Sequence, residues 1–555
     1  MLLQVDITEK SFGDKHLYDD LQFTVEAGEK VGLIGRNGTG KSTLFNMITS
    51  DDTDYQGDIT IKRNAIVIAS RQEHHGHEHK TVLDYIQGDL PEFAELHHII
   101  STYPATMGDN PTKLQRYSDA LERFSQLNYF QIEDELTQLF ADYQLPADKL
   151  EAKMSELSGG QKRMVELVKV QRAQAHLALI DEPTNHMDYR AKDAFIKWLK
   201  GAQEAVLVIT HDRDVLREVD KIVDVRNGQA YTFRGNYEQY LNVNKNQVTS
   251  EVNEYDVTQR RIANLKADII RFRRLKERAR DPGTIKRFKG QEERAEEQLA
   301  KLSQVEKPSF WIDRDSVTDL NPKMSAAYEK YKARNIRLDT RSTDSRSSSL
   351  LVQAHELALS YGEEPLFTDV SFSLREGERL RLHGRNGAGK TTLVKTIMAK
   401  INGTKPEVNI VSGTLAAAHE LALGLYEQEI DSKYLAMPLA EAIEQSFKDK
   451  DLPVSEQKVK QLLGEYLFNP QADGDVPINM LSGGQKARFQ LIRMLMNNPN
   501  LLILDEPTNH LDLPSIEELE NALATYDGAV IFISHDSYFA NKIGGETVYI
   551  GDRNS

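Results

Sequence analysis

Two octapeptides, GRNGTGKS at Gly35–Ser42 and GRNGAGKT at Gly384–Thr391, carry the residue types that hold a polyphosphate. In this pattern the glycines let backbone N–H groups approach phosphate oxygens, and the helix that follows adds its N-terminal dipole. In the first copy Gly35, Arg36, Asn37, Gly38, Thr39 and Gly40 make the cradle, Lys41 supplies positive charge, and Ser42 and Thr43 open the helix. In the second, Gly384, Arg385, Asn386, Gly387, Ala388 and Gly389 precede Lys390, Thr391 and Thr392. Ser42 and Thr391 present a hydroxyl to Mg2+. A glycine turn before a helix explains one such match, but not two in ordered repeats.

Three further blocks recur in the same order. LSGGQK at Leu157–Lys162 returns at Leu481–Lys486, and LALIDEPTNHMD at Leu177–Asp188 returns as LLILDEPTNHLD at Leu501–Asp512. THD at Thr210–Asp212 returns as SHD at Ser534–Asp536. The chain is therefore an internal duplication. Asp181 and Asp505 end apolar strands, where they can hold Mg2+ through water. Glu182 and Glu506 follow and can polarise an attacking water as general bases. A helix cap is the bland reading, and the repeated PTNH argues against it. His211 and His535, each after a buried strand, can hydrogen-bond a γ-phosphate.

These residues need a scaffold, and the spacing supplies one. Each copy opens with alternating strands (LLQVDITEKSF; LLVQAHELALSY), and LALID, VLVIT, LLILD and VIFIS read as short buried strands between helices. That pattern predicts an α/β fold with a mostly parallel, helix-covered sheet in each repeat. Helix-rich insertions fall at Tyr117–Tyr143 and Glu456–Tyr466. The repeats span residues 1–241 and 351–555, and the segment between them, 242–350, differs in composition. Residues 260–290 hold twelve Lys or Arg and three acids, a net +9, which leaves −25 on the rest of a chain whose formal charge is −16. Ile262, Leu265, Ile269, Phe272 and Leu275 recur at helical spacing, and Asp281–Pro282–Gly283 is a turn signal. The reading is a helical hairpin with a basic tip at about 278–288, a short helix at Asn321–Asn335 and a polar linker at Asp339–Ser349.

The 555 residues include no cysteine, which excludes disulfides, thiolate metal sites and iron–sulfur clusters. The N-terminus lacks the basic and long apolar regions of a signal peptide, and no window reaches a membrane helix's 18 continuous apolar residues. A cytoplasmic protein without a membrane segment is expected. HHGHEH at His74–His79 has the composition of a metal site but no second ligand cluster, and is read as a surface loop.

LSGGQ marks a resemblance to the ATP-binding cassette superfamily over both repeats, about 1–240 and 350–552. The resemblance implies a head-to-tail sandwich with ATP and Mg2+ bound twice. One site would join Gly35–Ser42, Gln72, Asp181, Glu182 and His211 to Ser482, Gly483, Gly484 and Gln485. The other would join Gly384–Thr391, Gln428, Asp505, Glu506 and His535 to Ser158, Gly159, Gly160 and Gln161. Phe12 and Tyr361 match the adenine-stacking aromatic, and Gln72 and Gln428 match the Q-loop ligand of Mg2+. Two cassettes in one chain, DEPTNH in both and a basic helical linker resemble the ABC-F translation factors. That likeness implies a monomer that binds the ribosomal exit site and reaches 23S rRNA, P-site tRNA and the peptidyl transferase centre through the hairpin. The residues expected on RNA are Arg271, Arg273, Arg274, Lys276, Arg278, Arg280, Lys286, Arg287 and Lys289. Rescue of stalled ribosomes and protection against ribosome-targeting antibiotics both remain open. The competing reading is the ATPase subunit of a membrane transporter, which would lack the basic linker.

Overall fold

The computed structural model describes residues 1–12, 15–71, 74, 76–106, 108, 110–185, 187–303, 349–362, 364–418, 421–427 and 430–551. Residues 1–237 and 337–555 form one unit, and 238–336 form another.

The first repeat begins with β1 (Leu3–Phe12), β2 (Lys15–Val25), β3 (Lys30–Gly35), α1 (Lys41–Ile48), β4 (Gln56–Ile61) and β5 (Val67–Ala69). The helical insertion follows as α2 (Val82–Asp89), α3 (Phe93–Thr106), α4 (Pro111–Gln126) and α5 (Ile132–Asp142). Next come α6 (Gly159–Ala173), β6 (Leu177–Asp181), α7 (Tyr189–Gly201), β7 (Ala205–Ile209), α8 (Arg213–Leu216), β8 (Lys221–Arg226) and β9 (Gln229–Arg234). An antiparallel sheet runs β2-β1-β4, and a six-stranded sheet runs β5-β6-β7-β3-β8-β9, parallel except at β9. Every residue of β6 and β7 is buried, which is why both read as continuous apolar runs instead of alternating ones. Because β7 lies between β6 and β3, Asp181, Thr210 and Gly35 emerge side by side from the carboxyl ends of the strands. Open α/β sheets bind ligands at that edge.

The second unit contains α9 (Tyr237–Arg278) and α10 (Pro282–Ser303). The boundary expected at 241/242 falls inside α9, one continuous helix. Asp281 shapes the turn, accepting from the Thr284 backbone N–H at 2.8 Å and its hydroxyl at 2.9 Å. Ile262 and Ile269 on α9 are buried, as is Ala295 on α10. The stretches read as a helix at 321–335 and as a linker at 339–348 lie outside the described residues.

The second repeat contains β10 (Leu350–Ser360), β11 (Pro365–Arg375), β12 (Arg379–His383), α11 (Lys390–Ile401), β13 (Asn409–Ala417) and β14 (Leu423–Tyr426). It continues with α12 (Ser432–Leu435), α13 (Leu439–Lys448), α14 (Glu456–Glu465), α15 (Gly483–Leu495), β15 (Leu501–Asp505), α16 (Leu513–Ala524), β16 (Ala529–Ile533), α17 (Ser537–Ile543) and β17 (Glu546–Tyr549). Its sheets run β11-β10-β13 and β14-β15-β16-β12-β17. The α/β architecture expected from the repeats is the one the chain adopts. Among the described residues no helix is long and apolar enough to cross a membrane.

Candidate nucleotide sites

Each phosphate loop is built from a strand end, a left-handed glycine and a helix start. Gly40 and Gly389, immediately before α1 and α11, both have φ of 96°, a conformation that favours glycine. A Cβ at Gly40 would also lie 2.6 Å from Leu17 Cδ2. Lys41 Nζ donates to the carbonyls of Gly35 (2.6 Å) and Arg36 (3.1 Å), and Lys390 Nζ to those of Gly384 (2.7 Å) and Arg385 (2.8 Å). The Thr39 hydroxyl donates to the Arg36 carbonyl at 2.9 Å. Both ammonium groups are thus held inside their loops, where phosphate oxygens would compete for them.

The loops are completed across the repeats. Asn37 donates its backbone N–H to Asp512 Oδ2 (3.1 Å) and its amide to the His510 carbonyl (2.8 Å). A Cβ at Gly484 would stand 2.2 Å from Asn37 Nδ2, so the second LSGGQ must be glycine where it meets the first loop. The mirror contact runs from the Asn386 N–H to Asp188 Oδ2, also 3.1 Å. Ser158 and Ser482 cap α6 and α15 in reciprocal boxes with Gln161 and Gln485. Gly159 is exposed on the first turn of α6, with nothing within 4 Å of its Cβ position, whereas Gly484 is buried against Asn37.

A cavity of about 830 Å3 lies in the first site. Asn37, Gly38, Gly40, Lys41, Ser42, Thr43, Asp181, Glu182 and His211 line it from the first repeat, and Ser482, Gly483 and Gly484 from the second. Gly159, Lys162 and Arg163 of α6 also border it. In the second site Thr391 Oγ1 donates to Asp505 Oδ2 at 2.8 Å, a hydroxyl–carboxylate pair that suits a small octahedral cation. A cavity of about 260 Å3 lies beside the exposed Tyr361, whose hydroxyl is 3.4 Å from that of Thr392.

Burial, then the neighbouring Asp181 carboxylate, push the Glu182 carboxyl up to about 8. Burial pushes Glu506 up to about 7 and Asp505 to about 6. Burial, with Lys41 or Lys390 nearby, pulls His211 and His535 well below the usual imidazole range, so both rings are neutral. Neither ring of these histidines has a hydrogen-bond partner, and neither has Glu506 Oε1. A buried unpaired polar atom is costly. These atoms gather at a small cavity of about 40 Å3 that is lined by both glutamates and both histidines, where His535 Nε2 stands 3.3 Å from Glu506 Oε1 and a water could satisfy the remaining groups.

Some expectations need correction or fall outside view. Gln72 and Gln428, and the side chain of Phe12, lie outside the described residues. The segment is a loop with Gly76, Glu78 and His79 exposed, but His74 departs from that reading: it is 8% exposed, and its Nε2 lies 2.9 Å from Glu166 Oε1 on α6. A buried carboxylate drew the histidine inward, a pull invisible from the local sequence. Among the described residues no group of three or more His, Cys, Asp or Glu can hold a metal ion. Three of the hairpin cations expected on RNA pair internally, Lys289 loosely with Glu293 at 3.8 Å. Arg273 pairs with Glu292 (2.8 Å) and Glu296 (2.6 Å), and Lys276 pairs with Glu292. Arg271, Arg274, Arg278, Arg280, Lys286, Arg287 and Lys289 are exposed.

Sequence reasoning passed over Asp188 and Asp512. Each uses Oδ1 to cap a helix, α7 or α16, and Oδ2 to reach across to the other loop. The signal was present, since both DEPTNH blocks end in Asp. The seam ion pair Arg213–Glu520 (2.7 Å) and the Ser537 hydroxyl's bond to Asp214 (2.7 Å) were also missed, because neither is repeated in both copies.

Fold and sites together define a P-loop nucleotide hydrolase whose two α/β units complete each other's phosphate loops. A family model described as ABC transporter matches residues 18–185 and again 367–509, and a second of that description matches 223–318. YdiF of Bacillus subtilis (strain 168), described as an ATP-binding protein, is 30% identical over 551 residues, covering 98% of this chain and 79% of its own. ABC transporter F family member 5 of Arabidopsis thaliana is 28% identical over 573 residues, covering 99% and 75%. The structure of an archaeal ribosome recycling factor, solved with a ribosomal stalk protein, has a TM-score of 0.51 at 17% identity, covering 98% and 89%; it shares the fold. The chain belongs to the ATP-binding cassette family, in its twin-cassette F branch, and hydrolyses ATP.

Proposed function

We propose that two ATP molecules close the cassettes head to tail, and that the closed form presents the basic hairpin to the ribosomal exit site. The contact of Asn37 with Gly484 and Asp512 carries the first half of this reading, because it joins one cassette's phosphate loop to the other's signature. Lys41 and Lys390 hold the β- and γ-phosphates, and the signature turns at Ser158–Gln161 and Ser482–Gln485 close over the γ-phosphates from opposite cassettes. Tyr361, and Phe12 in the first site, stack on adenine. Ser42, Asp181 and Gln72 in one site, and Thr391, Asp505 and Gln428 in the other, would hold Mg2+, which when bound would neutralise charge on the phosphates. Glu182 and Glu506, their basicity raised by burial, each take a proton from the attacking water. The neutral rings of His211 and His535 donate to the γ-phosphate. Loss of that phosphate removes the interactions that favour closure, so ATP times the bound state.

The exposed cations of the hairpin support an RNA partner, since phosphate neutralisation supplies affinity that an acidic body of net −25 would oppose. At the exit site the arm acts on P-site tRNA at the peptidyl transferase centre, rescuing stalled ribosomes or displacing a bound antibiotic. The test is co-sedimentation with ribosomes of E182Q/E506Q, which keeps ATP bound but lacks the bases. Retention in ATP and release in ADP are expected. Equal behaviour in the two nucleotides would remove the ribosome from this reading.

A further inference from the structure

Each hydrolytic glutamate has an arginine beside it, and the two arginines come from different elements. In the first cassette Arg163, on α6, donates Nη2 to the carbonyls of Asp181 and Glu182, the latter at 2.8 Å. The matching residue on α15 is Ala487, which is buried and has nothing to donate. In the second cassette Arg381, on β12, donates Nη2 to the carbonyl of Ser534 at 3.0 Å, next to His535. The next backbone N–H, that of His535, donates to Glu506 Oε2 at 3.4 Å, so Arg381 reaches this glutamate through the Ser534–His535 backbone.

The position matching Arg381 in the first cassette is Gly32. A Cβ at Gly32 would lie 2.7 Å from Leu216 Cδ2, so Leu216 fills the space that a longer side chain would need. The residue matching Leu216 in the second cassette is Ala540. The matched positions thus hold glycine and leucine in one cassette, and arginine and alanine in the other.

Both glutamates need bracing. Glu182 has φ of 46° and Glu506 of 50°, a left-handed backbone that residues with side chains keep only where their surroundings enforce it. In the first cassette that brace is carried on the signature helix itself. Ser158 caps α6, and Arg163 lies on the following turn.

We propose that Arg163 and Arg381 are positioning residues that make the two ATP sites mechanically unequal, tying the first glutamate to the signature helix and the second to the central sheet. The inference rests on the composite-site reading above. The signature at the start of α6 serves the second nucleotide, so a displacement there moves Arg163 and with it Glu182. The reverse route has no such link, because α15 carries Ala487. Occupancy of the second site therefore changes turnover in the first, and the opposite effect is weaker. Kinetic coupling, unlike binding coupling, is free to be one-sided.

The experiment measures kcat and KM for ATP in the full chain, with E506Q reporting the first site and E182Q the second. R163A is expected to lower kcat of the E506Q protein tenfold or more with KM within threefold. Its effect on the E182Q protein should be at least five times smaller, and R381A should show the opposite preference. R163K should recover part of the loss, since an ammonium can reach one carbonyl. It also keeps the test alive if R163A does not fold. Equal loss in both reporters, or no loss in either, would overturn the proposal while leaving the composite sites standing. Wild-type turnover in E182Q/E506Q would instead remove the glutamate assignment, and this inference with it.

Discussion

The backbone N–H of Asn37 donates to Oδ2 of Asp512 at 3.1 Å, across 475 residues of chain. The other carboxylate oxygen of Asp512 caps α16 through the Ser515 N–H at 3.1 Å. One side chain thus fixes the start of a helix in its own cassette and the phosphate loop of the other.

That double duty separates two substitutions. D512A loses the cap and the cross-cassette bond, and should cost about 1–2 kcal/mol of stability along with most ATPase activity. D512N keeps a good cap, so thermal unfolding should stay close to the parent. A neutral amide holds the Asn37 loop less well, so turnover at the first site should still fall about tenfold. Equal unfolding temperatures for D512A and D512N would contradict the assignment.

Glu166 is a buried carboxylate with several partners near the first site. It accepts from the Arg71 N–H at 2.8 Å, from His74 and Tyr85, and pairs with Lys169 at 2.8 Å. Burial alone would raise its carboxyl. The Lys169 charge and the hydrogen bonds outweigh burial and hold the group down at about 2. A depressed carboxyl stabilises the fold above the unfolded value of about 4.3 and loses that contribution as pH falls toward 2. E166A takes one of two carboxylates from the buried Lys169, which keeps Asp89 at 3.0 Å, and should cost roughly 1–3 kcal/mol at pH 7. Urea unfolding at pH 7 and pH 3 should show that penalty shrinking in acid.

The hydrolytic glutamates behave in the opposite sense. Their carboxyls are raised, so ionising them works against the fold, and that cost grows as pH climbs from the unfolded value of about 4.3 to about 7 or 8. E182Q/E506Q should therefore unfold a few degrees higher than the parent at pH 8, with little difference at pH 4. Each base must also be deprotonated to act, so turnover should rise with pH. The limb for E506Q, reporting Glu182, should lie above that for E182Q. Coincident limbs would contradict the different environments.

On the hairpin, alanine at Arg278, Arg280, Lys286 and Arg287 should weaken ribosome binding and flatten its salt dependence. The log–log slope should fall by roughly 0.7–0.9 for each phosphate no longer neutralised. Alanine at Arg273 or Lys276 should leave the slope alone and loosen the hairpin, because Glu292 already holds both.

The phosphate loops, the Asp–Glu strand ends and the twin α/β sheets were legible because each is a local pattern printed twice. Left-handed glycines before Lys41 and Lys390 need no distant partner to be recognised. Asp188 and Asp512 were also printed twice, but the contact that their second oxygen makes across the repeats has no local signature. The exchange of Gly32 and Leu216 for Arg381 and Ala540 was illegible, since it links residues that meet only when β3 packs on α8 or β12 on α17. The burial of His74 escaped notice for a related reason: five polar residues around Gly76 read as solvated, and only the buried Glu166 explains why one turns inward.

The central claim is that each site is finished by the other cassette's signature, and exchanging signatures between reporters tests it most directly. ATP turnover is measured for E506Q, which reports the first site, and for E182Q, which reports the second, each carrying S158R or S482R. The account predicts that S482R silences the E506Q protein and S158R silences the E182Q protein. Each glutamate would then depend on a serine from the opposite half of the chain. The reverse pairing, in which each site fails with its own cassette's serine, would contradict it.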